Sequence, residues 1–429
     1  MRVLHGRGIF GALCALLLTG TAAAQNFPTV SYPLEGGATQ QAAYQDPATP
    51  LMVEPVYAGT LGGAGPQSPA QAGDAYKAAM NGNWGACETC APYPWFGTVG
   101  AVFFNRIDGN FKLTCGCNGN PALMYNDAKL PTTVGPSVTF GRYLGCDGCF
   151  AAQFVYWGLY PAMQDADAFA SLANPMGSNF DWSGLGYILV NDPPVSDVFD
   201  NSVHSRVQRN YSLHNFEANM LVFSTPFGTA CGPGCNNCGS CAPNFRYSFL
   251  AGFRYMYFGE DMMFSADSED YVWGNSANEL HYFSEVKNRL AGFQIGGRTD
   301  YFLTPNLSLF GTAKGGVYGN DMSARQYIYN SNGYAIVTNS VSSNFGRDYN
   351  ISGHKTGLSF VTEFSVGGSW EITRCWSVYA GYQVIAATGI AEVADQIPTQ
   401  FYQLQENSYI KNDGVVILHG AFAGVSYNF

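Results

Sequence analysis

Charge is scarce in this chain. Of its 429 residues only 12% are Asp, Glu, Lys or Arg, against about 25% in an ordinary soluble domain. Basic residues are the scarcer half, 20 against 31 acidic. The basic footprint that nucleic acid demands is therefore missing. Past residue 24 there is no run of ~18 apolar residues, which excludes a membrane-spanning helix. No Gly-x-Ser-x-Gly, His-x-x-x-His or phosphate-binding loop occurs, so the common hydrolase, zinc and nucleotide chemistries lack their local motifs. What is abundant is apolar: 47% hydrophobic, 15% aromatic, with 51 glycines. Little charge, many aromatics and no helical span together suit a membrane β-barrel, where one face of every strand meets lipid.

The N-terminus has three parts. Arg2, His5 and Arg7 precede a short apolar run over 9–18, and Thr21-Ala-Ala-Ala24-Gln25 offers a small-residue cleavage site. Residues 1–24 read as a secretory signal peptide cut after Ala24. Residues 25–94 are rich in Pro, Gly and Ala (Pro28, Gly36-Gly37, Pro47, Gly62-Gly-Ala-Gly65-Pro66) and show no periodicity. They read as a disordered periplasmic linker. Residues 95–429 are expected to form the barrel, an all-β, closed antiparallel transmembrane sheet.

Alternation of period two marks the strands. Ten segments show it: 95–106, 133–143, 149–160, 209–223, 245–258, 285–303, 306–320, 356–372, 375–388 and 414–429. Each is long enough to cross a bilayer. In 245–257, odd positions carry Phe245, Tyr247, Phe249, Phe253 and Tyr255, and even ones carry Arg246, Ser248 and Arg254. Two segments resist this sorting. Segment 95–106 is ambiguous in its inward face. In 209–223, Tyr211 and Leu213 are odd whereas Phe216, Ala218 and Met220 are even, so a bulge near His214 is expected. Connections alternate between long and mostly short, as barrels with short periplasmic turns and long outer loops require. Ten strands put both termini at the periplasmic end. Twelve strands result if parts of 161–208 or 321–355 also cross. Asn332-Gly333 signals a hairpin that extends the wall outward.

The last stretch, Gly414 to Phe429, alternates Phe429, Tyr427, Val425 and Ala423 against Asn428, Ser426 and Gly424. It resembles the closing strand of a bacterial outer-membrane barrel, whose terminal Phe is read by the insertion machinery. Tyr427 and Phe429 are the expected assembly signal. Further segments carry a wider likeness: Gly141-Arg-Tyr-Leu-Gly-Cys-Asp-Gly-Cys-Phe-Ala-Ala-Gln-Phe-Val-Tyr156, Leu213-His-Asn-Phe-Glu-Ala-Asn-Met220, Ala251-Gly-Phe-Arg-Tyr-Met-Tyr-Phe-Gly-Glu260, Asn288-Arg-Leu-Ala-Gly-Phe-Gln-Ile-Gly296 and Lys314-Gly-Gly-Val-Tyr-Gly-Asn320. Together they resemble the β-barrel porins abundant in planctomycete-type bacteria. The resemblance implies an outer-membrane barrel in contact with lipid and the barrel-assembly machinery. It implies no catalytic or ligand set.

Four thiols crowd into Cys231-Gly-Pro-Gly-Cys235-Asn-Asn-Cys238-Gly-Ser-Cys241. In an exported chain disulfides are favoured over a metal or cluster. Cys87, Cys90, Cys146 and Cys149 join them as disulfide candidates at the periplasmic rim, with Cys375 beside them. Cys115 and Cys117 fall in an outer loop. Expected lumen charges are Glu217, Arg246, Arg254, Arg298, Asp300, Lys314, Glu363 and Glu371. Four basic and four acidic groups either select small solutes in an open pore or fill a narrow barrel as an ion-pair network; at ten strands the filled network is favoured. The acidic loop residues Glu260-Asp261, Asp267-Ser-Glu-Asp270, Asp165, Asp167, Asp181, Asp192, Asp197 and Asp200 are expected to be solvated, without EF-type calcium spacing. Trp157, Tyr160, Tyr255, Tyr257, Trp370, Trp376 and Tyr427 are expected in interface girdles. No cofactor or metal is expected. The function expected is a porin-like outer-membrane barrel, structural or passing small solutes. Two alternatives stand beside it: a non-channel barrel that binds partners through acidic loops, and a rim hydrolase using His204, His281 or His354.

Overall fold

The computed structural model describes residues 95–107, 113–117, 120–144, 150–160, 163–186, 188–189, 191–223, 245–304, 306–340, 342–373 and 375–429. The signal and linker readings, and all eight disulfide candidates, lie outside these residues.

Ten strands form one closed antiparallel ring: β1 Trp95–Ile107, β2 Thr133–Leu144, β3 Phe150–Leu159, β4 His204–Phe223, β5 Phe245–Asp267, β6 Glu279–Thr304, β7 Leu307–Asn330, β8 Asn350–Glu371, β9 Trp376–Ile390 and β10 Gly414–Asn428. Each pairs with its sequence neighbours, and β10 pairs with β1 from Phe96↔Asn428 to Ile107↔Ile417. Trp95 and Phe429 exchange backbone hydrogen bonds of 3.0 and 2.9 Å beyond that ladder. The barrel therefore leaves no free sheet edge. The end holding Trp95 and Phe429 is here the lower end.

Paired residues followed once round the ring run from Trp95 through Arg142, Ala152, Met220, Ala251, Ile295, Gly315, Thr362, Ala386 and Ile417 to Ile107. The stagger is thus 12 residues along β1, from position 95 to 107. With strands ~4.8 Å apart and rising ~3.3 Å per residue, that sets a tilt of about 40° and a backbone diameter of about 20 Å. Long side chains from opposite walls meet across such a width.

The ten segments expected from alternation are the ten wall strands. Among the described residues no further strand crosses. Instead β4 to β8 run well beyond the others at the upper end. Gln164–Phe169 adds to the upper part of β4, and Gly333–Tyr334 folds back on the end of β7. The bulge at His214 is absent: β4 pairs without a shift on both sides. Odd residues of β4 point inward throughout, from Val207 to Asn219, while Phe216, Ala218, Met220 and Val222 face out. The apparent change of face is a change in the chemistry of the lumen.

Candidate functional site: the filled lumen

The interior is layered. Near the lower mouth Asp300 accepts from Arg246 (3.3 Å) and Arg298 (2.9 Å). Arg298 also lies 4.3 Å over the Phe310 ring. Higher, Glu217 of β4, Arg254 of β5, Lys314 of β7 and Glu363 of β8 form one cluster. Arg254 bridges Glu217 and Glu363. Lys314 Nζ lies 3.1 Å from Glu217 and 2.8 Å from Glu363. Asn215, Asn219 and Gln294 donate to Glu217 at 3.1, 2.9 and 2.8 Å. Two cations face two anions, so the cluster is neutral although Glu217, Arg254 and Glu363 are buried. Burial is tolerable only on those terms.

Above this cluster the lumen turns apolar. Val102, Phe104, Trp157, Leu159, Leu213, Met256, Phe258, Leu290, Val361, Ile385 and Leu418 pack into one buried layer. Leu213, Met256, Phe258 and Leu290 share a residual cavity of about 10 Å³ with Ile385, Ile390 and Leu418 from the opposite wall. That is no more than the room one water needs. Each Leu or Phe withdrawn here from water contributes about 2–3 kcal/mol. This layer explains both segments that alternation sorts poorly. Where lumen and lipid faces are both apolar, parity carries no contrast. On β1, Phe103 faces out and Phe104 faces in.

A second ion cluster sits above the apolar layer. Glu260 of β5 lies 2.8 Å from Arg106 of β1 and 3.7 Å from Arg209 of β4. It also accepts from the Tyr125 hydroxyl (2.9 Å) and the Val393 amide (3.2 Å). Glu392 binds Arg106 at 3.0 Å, yet burial pushes its carboxyl up to about 7 against the pull of that guanidinium. Arg209 stacks 3.8 Å over the Tyr125 ring. The cluster joins the wall to the segments 113–130 and 391–413.

The described residues of those segments, with those of 163–203 and 331–349, fold into a cap between the extended strands. Trp182 lies between Phe199 (4.0 Å) and Phe401 (4.3 Å) at its centre, surrounded by Phe264, Tyr282, Val337 and Tyr349. Gly389, at φ +74°, turns the chain inward at the end of β9. Its carbonyl accepts from Asn320 and Ser359, and Asn288 makes a two-way 2.9 Å pair with the backbone of Ala391.

Residues 204–415 match the family model described as Putative beta barrel porin-7 (BBP7). Over this stretch the chain is similar to porin-like outer-membrane β-barrels. The matched stretch runs from β4 into β10 and holds every member of the lower cluster. A comparison with curated proteins finds no match. Among solved structures the barrel is similar to the outer membrane protease OmpT from Escherichia coli (12% identity, 80% of this chain and 100% of that chain, TM-score 0.41). It is also similar to a major outer membrane protein from Thermus thermophilus (10%, 78% and 98%, 0.29) and to a FadL homologue from Pseudomonas aeruginosa (8%, 78% and 90%, 0.21).

In this porin-like barrel the expected lumen charges come together, with one exception: Glu371 is exposed at the lower rim. The upper cluster escaped sequence reading. Arg106 and Arg209 sit at strand ends, and Glu260-Asp261 reads as solvated loop charge. Glu260 is in fact a strand residue and buried, as is Asp267 at the end of β5, and Asp192 is buried in the cap. Asp192 accepts from Asn330 and Asn332. Asp167 holds His204 and Arg206, both at 2.7 Å. Asp165, Asp181, Asp197, Asp200, Glu269 and Asp270 are exposed as expected, and Asp261 is half-buried. Trp157 is no girdle residue: it points inward and meets Phe104 edge to face at 5.4 Å. Tyr160, Trp370, Trp376 and Tyr427 do face out, and Tyr427 stacks on Phe429. Among the described residues the free thiols are Cys115, buried in the cap, and half-buried Cys375; burial pushes the Cys115 thiol up to about 11.

Proposed function

We propose that this chain is a sealed outer-membrane barrel that builds the envelope wall and carries a folded cap above it, and that it is neither an open diffusion pore nor an enzyme. The observation that carries this reading is the apolar layer, in which side chains from opposite walls pack around a residual cavity of about 10 Å³. Ions do not cross such a layer without a hydration shell. In planar bilayers the purified full chain is expected to give no unitary conductance steps; steady openings at low voltage overturn the reading. What favours solute passage is the lower lumen, where Thr98, Ser137, Thr139, Gln153 and Ser365 remain only half-buried beneath the ion cluster.

The rim histidines support the non-enzymatic part. His204, His281 and His354 each bind a different partner: Asp167, Ser265 (2.8 Å) and Asp321 (2.5 Å). Ser265 is itself buried. The Glu279 carboxylate is occupied by the amides of Gly274, Asn275 and Ser276, so it does not orient His281.

Export by the signal peptide puts the lower end in the periplasm, where the cysteines of 87–90, 146–149 and 231–241 would staple the rim. Tyr427 and Phe429 would there meet the assembly machinery. Phe429 also fastens the seam through its bonds to Trp95 and its ring contact with Phe140, 6.3 Å apart. Phe429→Ala is expected to lower the membrane-inserted yield severalfold, measured as the heat-modifiable band on detergent gels. An unchanged yield counts against the assembly role.

A further inference from the structure

A groove on the outer wall has chemistry that the filled lumen leaves unused. On β4 the outward residue Ala218 stands between Phe154 of β3 and Phe253 of β5, its direct partners in the sheet. One small side chain between two exposed phenyl rings opens a furrow, with Phe140 and Phe216 beside it. Its volume is about 290 Å³ and its lining is apolar. It lies within the lipid-facing belt, continuous with the exposed Val138, Met220 and Phe293.

The upper end of the furrow is polar. Tyr156, which lines it, places its hydroxyl 3.2 Å from His214 Nδ1 and 3.4 Å from the Tyr160 hydroxyl. The Tyr156 ring stacks parallel to the His214 imidazole, and Tyr257 lies 6.1 Å from it on the other side. His214, Tyr257 and Arg289 stand in one register row across β4, β5 and β6. Arg289 and Lys287 bring positive charge there, each beside an acid, Asp321 (3.5 Å) and Glu285 (2.6 Å). From this row upward the outward face stops being apolar: Phe216 gives way to Ser212, Phe293 to Arg289 and Val317 to Asp321. That step marks the depth of the lipid headgroups.

We propose that this face holds one outer-leaflet lipid, with an acyl chain over Ala218 between Phe154 and Phe253 and a phosphate-bearing headgroup at Tyr156, His214 and Tyr257. The phenols and imidazole donate to phosphate oxygens, and Arg289 adds charge from the neighbouring strand. Aromatic walls at fixed spacing select an extended chain, and the polar end fixes its depth. The proposal rests on the outer-membrane reading, which heat-modifiable migration tests separately.

The test titrates delipidated full-length protein in detergent with dipalmitoylphosphatidylglycerol, or with the matching diacylglycerol, and counts adducts by native mass spectrometry. One retained phospholipid is expected. Ala218→Phe fills the furrow from outside the wall and should cut retention at least tenfold. His214→Ala with Tyr156→Phe should cut phospholipid retention severalfold while leaving diacylglycerol unchanged. Ala380→Phe, on the outer face of β9, should leave both unchanged. Equal retention by wild type and the Ala218→Phe variant overturns the site. Loss of a dimer peak in that variant without change in lipid assigns the furrow to a second copy of the chain and overturns it as well. All variants should keep the heat-modifiable shift, which shows that the barrel is intact.

Discussion

Arg254→Ala should lose the heat-modifiable compact form at a markedly lower temperature than the wild type. Arg254 is buried and bridges Glu217 and Glu363, with Lys314 as the other cation of the cluster. Removing it leaves two carboxylates to one ammonium in a volume closed above by the apolar layer. Breaking a buried pair from one side costs about 3–5 kcal/mol, because the stranded charge keeps its desolvation penalty. Glu217 retains its three amide donors, so the barrel should still fold. The decisive comparison is Arg254→Met with Glu363→Gln, which restores neutrality through Lys314 and Glu217. The double variant should recover more than half of the loss. If it is no better than Arg254→Ala alone, charge balance is not what the cluster supplies.

Glu260→Gln should free the cap from the wall. Glu260 faces Arg106 and Arg209, takes the Tyr125 hydroxyl and receives the Val393 amide. A neutral amide in its place leaves two guanidinium groups with Glu392 as the one nearby carboxylate, and Glu392 reaches Arg106 alone. The expected cost is again about 3 kcal/mol, felt locally since the seam and lower cluster are untouched. Hydrogen exchange is the natural readout, because local opening sets its rate. The amides of Ala391 and Val393 should exchange about 100-fold faster, while those of Ala251 and Phe253 on β5 should not change. Uniform acceleration across the barrel would show that Glu260 supports the whole fold and is no local tie.

Strand positions were legible because lipid and a polar lumen impose opposite demands on alternate residues. β5 to β8 show this in their lower halves, where Phe249 and Phe253 alternate with Ser248 and Arg254. The same contrast pointed to Glu217, Arg254, Lys314 and Glu363 as lumen residues. It failed on β1 and the upper part of β4, where Phe104, Tyr211 and Leu213 point into an apolar layer. It failed for Trp157 for the same reason. Loop charge misled in the other direction: Glu260, Asp192 and Asp267 look solvated until the partners that bury them are seen.

Local pattern by itself determined the class of fold, the ten wall strands and which residues of the lower strands face inward, because each depends only on whether a position meets lipid or a polar interior. Only the tertiary structure decided that an apolar layer packs across the lumen, that a second ion cluster ties the cap to the wall and that Ala218 floors a furrow between two rings. Those features depend on side chains far apart in sequence meeting across a barrel about 20 Å wide. Periodicity along one strand carries no information about what stands opposite.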